Sequence, residues 1–191
     1  MKLFPTSNGV PYWPDGVNQD GEPPGPRPMC LQAFYFLLVF AALQWFYGMA
    51  RDTWIQALFV ETLGSQPAAG LISLVTPDIK AHVVGSRIAA PGGGINIRGG
   101  CEGTEVLFLL LAAFQAMPMP WRSRIAGMTL GAFLVFVFNQ VRILSLFYAY
   151  RADRELFDLL HTIVAPIALI GLIAFYFYAW IHRGRRLAST N

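Results

Sequence analysis

The chain has 191 residues, of which 55% are hydrophobic, 14% aromatic and only 13% charged. That balance lies far from the soluble average and excludes an ordinary soluble domain. The formal net charge of +3 comes from arginines that flank apolar stretches, so it reports topology and contact with anionic membrane lipid, not a nucleic-acid surface. We read an all-α integral membrane protein with about four transmembrane helices and a small outer region that holds an interfacial helix and a short β-hairpin.

Residues 1–28 hold seven of the thirteen prolines, with Gly, Asn and Asp among them. Such a segment buries too little apolar surface to offset the entropy of ordering, and it reads as a flexible cytoplasmic tail without a cleavable signal peptide. Four intervals then lack charge: Arg27 to Arg51, Glu105 to Arg122, Arg124 to Arg142, and Asp158 to His182. A spanning helix needs about 20 apolar residues, which places spans at about 29–48, 104–117, 125–148 and 160–181. Together they form one transmembrane catalytic domain over 29–182, followed by a basic cytoplasmic tail, 183–191.

Between the first two spans, "DTWIQALFVETL" (Asp52 to Leu63) is too short to cross and suits a helix lying at the outer interface. After "GSQPAAG", the stretch "IKAHVVGSRIAAPGGGINIRGGC" has β-branched residues around a "PGGG" turn signal, so two short strands are expected there. The second span is short and its polar start, Glu102 to Glu105, belongs near the interface.

Arginines fix the orientation. Arg122 and Arg124 in the short loop after the second span, and Arg183, Arg185 and Arg186 in the C-terminal tail, have no acidic neighbour in their segments and belong in the cytoplasm. Both termini are then cytoplasmic in an inner, multi-pass membrane protein, and the segment from about Met49 to Gly100 faces outward. Of the two cysteines, Cys30 falls at the inner end of the first span and Cys101 at the outer end of the second, so no disulfide joins them.

Arg142 interrupts an otherwise charge-free stretch from Ile125 to Tyr150. At 1.5 Å per residue it lies roughly 25 Å along a helix that starts inside, at the level of Cys101. His161 opens the last span at the same face. A charged group inside a span turns toward a bundle interior or watery cavity and marks a functional site. The three types divide the labour of acyl transfer. A thiolate ahead of a helix N-terminus is a strong nucleophile. An imidazole carries the proton between thiol and leaving amine, and a guanidinium stabilises oxyanion charge or holds a carbonyl. Gly100 beside Cys101 lets a peptide approach the backbone, Gly103 follows with a further amide, and Asp158, three positions before His161, is placed to orient its ring.

"CEGTE" opening one span, "NQVRI" (Asn139 to Ile143) inside the next and His161 at the start of the last resemble the exosortase and archaeosortase family of membrane cysteine transpeptidases, in a compact four-span form. The resemblance covers about residues 70–175. It implies Cys101 as nucleophile, with Arg142 and His161 completing the catalytic set and Asn139 as polar neighbour; Glu102 follows the nucleophile as an acidic supporting residue. It also implies substrates that are exported proteins bearing a C-terminal sorting signal of short motif, transmembrane helix and basic cluster. Cleavage would occur at the outer face through a thioester, followed by transfer to an acceptor. No cofactor or metal is implied, and no nucleic-acid partner. Two other readings fit the residues: a non-enzymatic assembly or accessory subunit, in which the polar residues hold helices together, and a membrane protease that releases its product to water.

Overall fold

The structure, a computed structural model, describes residues 6–7, 10–11, 28–50, 53–97 and 102–189. The tail expected over 1–28 falls outside them apart from Pro28 and two paired strands, β1 (Thr6–Ser7) and β2 (Val10–Pro11). Gly100 and Cys101 also lie outside the described residues.

The molecule is an all-α membrane protein with a small sheet. Four helices are long and apolar enough to cross a membrane: Met29–Met49, Trp54–Val75, Trp121–Ala152 and Arg154–Arg183, while Thr104–Ala116 is shorter. Helix α1 (Met29–Met49) starts after Pro28, whose fixed φ suits the entry. Among the described residues none of its side chains is buried; Leu31, Phe34, Leu37, Trp45 and Phe46 point outward around it, as in a helix surrounded by lipid. Its main packing partner is α3 (Thr104–Ala116).

Helix α2 (Trp54–Val75) corrects the expected interfacial helix, which was to end at Leu63. It begins at Thr53, whose hydroxyl accepts from the Ile55 amide at 3.3 Å. It then runs through "GSQPAAG" by widening into π turns over Leu58–Ser65 before returning to α geometry over Gln66–Val75. Pro67 explains the widening. It brings no N–H to the carbonyl one turn earlier, Leu63, and its ring crowds that turn, so the helix opens instead of stopping. Although α2 is long enough to span, both its ends stay at one end of the bundle. Phe59 packs edge-on to Tyr47 near the end of α1, and Thr76, just past the helix, lies 2.6 Å from the Tyr148 hydroxyl near the end of α4.

That end carries the sheet. Three antiparallel strands, β3 (His82–Val84), β4 (Arg87–Ala89) and β5 (Ile95–Asn96), pair Val83 with Ile88 and Arg87 with Asn96. The sequence led us to expect two strands around "PGGG"; the additional turn is at Gly85 and Ser86, where Gly85 takes φ 57°, a conformation glycine adopts without strain. At Gly94 a Cβ would sit 2.1 Å from the Ile88 carbonyl oxygen, so the second turn closes only over hydrogen. Ile88, Ile95 and Ile97 pack with Val60, Ala68 and Ile72 of α2 and with Ile143, Leu146 and Phe147 of α4 in one apolar core.

Helix α4 (Trp121–Ala152) is longer than the expected span, and the gap left between the expected spans 125–148 and 160–181 shrinks to one non-helical residue. Asp153 caps the next helix by accepting from the Glu155 amide at 2.9 Å. Helix α5 is continuous from Arg154–Leu159 through a π segment, Leu160–Val164, to Ala165–Ser189. Away from the sheet, α3, α4 and α5 touch closely. A Cβ on Gly127 would lie 2.4 Å from Phe114 and 2.9 Å from Trp180; one on Gly131 would lie 2.5 Å from Leu110 and 2.8 Å from Tyr176. This four-residue spacing of glycines brings the backbone of α4 against both neighbours, and the Tyr176 hydroxyl donates to the Gly127 carbonyl at 2.7 Å.

Candidate functional site

The buried stripe of α4 continues from Gly127 and Gly131 through Val135 to Asn139, as a four-residue spacing keeps one helical face inward. Near the sheet it becomes polar. Asn139 is 4% exposed, Gln140 5% and Arg142 9%, so the guanidinium expected at this depth faces protein, as an intramembrane charge should.

The chain that leads into α3 lies on this polar patch. Gly103 takes φ 75°, and a Cβ there would stand 2.9 Å from the Asn139 side-chain carbon and 3.0 Å from its Oδ1. Only a residue that tolerates left-handed backbone and carries no side chain lets the entry to α3 rest on the Asn139 amide. Glu102, the residue before, accepts a hydrogen bond from the Tyr47 hydroxyl. Tyr47 in turn packs edge-on to Phe59 of α2 (centroids 5.9 Å apart, 88°) and to Phe108 of α3 (5.6 Å, 73°). The two residues that follow Cys101 are therefore held from opposite sides, by α1 at Glu102 and by α4 at Gly103. Nothing in the local pattern around Tyr47 distinguishes a tyrosine that reaches an acidic residue fifty-five positions away.

His161 sits in the π turn Leu160–Val164, half-buried, and that turn packs on α4. Its neighbour Leu160 packs on the core that holds Ile143, Leu146 and Phe147 of α4. Pro166 lies two residues past the turn, repeating the relation of Pro67 to the π turns of α2; each proline withholds a donor from the preceding turn and widens it. The ring of His161 lies parallel to Phe157 in an offset stack, centroids 5.4 Å apart and planes 4° apart. Asp158 is exposed, and the ring contact seen is with Phe157.

Gln140, unremarked in the sequence beyond its place in "NQVRI", donates from Nε2 to the Leu63 carbonyl at 2.8 Å. That carbonyl is the one Pro67 cannot serve, so a buried amide on α4 supplies what the proline removed from α2.

The structure thus brings Gly103, Asn139 and Arg142 to one level and sets the turn bearing His161 against the same helix. A buried guanidinium and an amide one turn apart offer directed donors to an oxygen that gains negative charge. The sequence profile of the transmembrane exosortases matches residues 24–179. The chain belongs to that family. No curated protein and no solved structure matches it. Membership makes this exosortase a multi-pass membrane protein whose family carries a transpeptidase-like role in sorting exported proteins. The matched region contains Cys101, Asn139, Arg142 and His161.

Proposed function

We propose that this exosortase is a membrane-embedded cysteine transpeptidase that cuts the C-terminal sorting signal of exported proteins at the outer face of the inner membrane. The observation that carries the reading is the seating of Gly103 on Asn139, one turn before the buried Arg142. Two peptide units span at most about 7 Å, and the closeness of Cys101 to Gly103 along the chain supports a thiol near the polar end of α4 in this reading.

In this reading the Cys101 thiol gives its proton to His161, and the sulfur attacks the scissile carbonyl carbon. Arg142 stabilises the oxyanion, in a site where one such donor is worth about 3 kcal/mol. As the C–N bond breaks, the imidazolium protonates the leaving amine, which departs with the transmembrane helix and basic cluster. The thioester left on Cys101 is attacked by an acceptor amine, which loses a proton to His161, and the thiol is regenerated. Water in place of the amine gives hydrolysis. The arginines beside the loop Met117–Pro120 and at the end of α5 support a cytoplasmic side there, and with it an outward-facing sheet and Cys101. In the competing reading of a non-enzymatic subunit, Arg142 and His161 serve only to hold helices.

The test compares C-termini of exported proteins, by mass spectrometry, from cells carrying the parent chain or Cys101→Ala. A set of proteins that keeps an apolar C-terminal helix and basic tail only in the variant is expected, and a new amide on the processed terminus distinguishes transfer from hydrolysis. Unchanged C-termini, with the variant present at parent level and substrates in the strain, would overturn the proposal.

A further inference from the structure

The Pro91–Gly94 turn, the last turn of α4 and the first turn of α5 form one stack of contacts that ends on His161. Arg151 donates from Nη1 to the Pro91 carbonyl at 2.7 Å. Gly93, at φ 126°, lies under Tyr150, and a Cβ there would stand 3.1 Å from the Tyr150 ring. The Arg154 guanidinium lies 4.0 Å from the centroid of the same ring. Tyr150 meets Phe157 edge-on (5.4 Å, 81°), and Phe157 lies parallel to His161 in an offset stack.

We propose that Phe157 is a positioning residue for His161, buttressed from behind by Tyr150 and the Pro91–Gly94 turn. The inference rests on the role of His161 as proton carrier proposed above. An imidazole turns about two side-chain torsions, and several rotamers are open to it on a helix surface. Proton transfer needs one ring nitrogen within about 3 Å of the thiol, directly or through a water. The π turn widens the backbone at this point, so the helix alone does not select a rotamer. A phenyl ring held parallel four residues earlier does, because contact with it fixes the plane of the imidazole. Phe157 touches no reacting atom in this scheme; it acts only through the ring it holds.

The experiment uses the full chain in a Cys30→Ser background, where Cys101 is the sole thiol, and iodoacetamide as probe, since alkylation reports thiolate formation. Phe157→Leu keeps apolar bulk and loses the flat surface; the alkylation rate of Cys101 should fall roughly three- to tenfold at neutral pH, as a fixed rotamer is exchanged for several. Phe157→Tyr, which retains the plane, should stay within about twofold of the parent on the same reasoning. Tyr150→Leu removes the buttress without touching Phe157 and should slow the same step. Parent-like alkylation in Phe157→Leu beside slow alkylation in His161→Ala overturns the inference and leaves the proton-carrier role standing. Equal slowing by Phe157→Leu and Phe157→Tyr also overturns it, because the ring plane is then not the cause. Parent-like alkylation in His161→Ala sinks the underlying role itself.

Discussion

Between Gly127 and Val135 the buried side of α4 is glycine and valine pressed against Phe114, Leu110, Tyr176 and Trp180, whereas between Asn139 and Arg142 the same helix buries two amides and a guanidinium. The first half gains its stability from close contact, which in a membrane replaces the hydrophobic effect as the force between helices. The second half holds groups that cost free energy to bury and is tolerated because the first has already fixed where the helices stand. Substitutions in the lower half should therefore attack the fold, and substitutions in the upper half the reaction.

The sharpest way to break this division is Gly131→Leu. A Cβ alone meets Leu110 and Tyr176 on opposite sides, so a full side chain must part α3 from α5; overpacking of this kind costs roughly 3 kcal/mol or more. The expected outcome is loss of the monodisperse peak on size exclusion, or a fall of more than about ten degrees in thermal midpoint for the purified protein. Next comes Arg142→Gln. Signal processing should drop by a factor of about 10² to 10³, the usual size of a lost oxyanion donor, with the thermal midpoint held close to that of the parent; a midpoint loss rivalling that of Gly131→Leu would mean that Arg142 is a structural residue and the division is false. The smallest effect is expected from Gln140→Leu, which deprives the Leu63 carbonyl of its donor. Interhelical hydrogen bonds in membranes average about 0.6 kcal/mol, so a shift of one to a few degrees is expected with processing near the parent rate. Processing reduced as far as in Arg142→Gln would move Gln140 from bracing into the chemistry.

Much of the upper half could be read from the chain. Arg142 stands out because a charge in an apolar run is rare, and its depth follows from counting residues along a helix; the structure buries it as that argument requires. Gly103 and Asn139 were legible as residue types of a motif but not as a contact, since nothing local says that one rests on the other. Two features misled. The expected interfacial helix covers only "DTWIQALFVETL" and ends at Leu63; the π turns and the Gln140 amide together accommodate Pro67 and carry the helix on to Val75, and neither shows in sequence periodicity. The Gly85–Ser86 turn was overlooked beside the stronger "PGGG" signal, so a strand was missed. Tyr47 and Phe157 belong to the hardest class, aromatic residues in apolar surroundings whose particular contacts only the fold selects.

The shortness of α3 has a further consequence once the protein is placed in a bilayer. Its thirteen residues cover about 20 Å, against a hydrocarbon thickness of about 30 Å. The mismatch cannot be relieved by tilt, which shortens a helix further. Lipid beside α3 must therefore thin, or the missing length must be filled by protein, as it is on the inner side where the buried Gly103 meets α4. Where lipid makes up the difference, the hydrocarbon layer beside α3 is thinner than the layer around the longer helices.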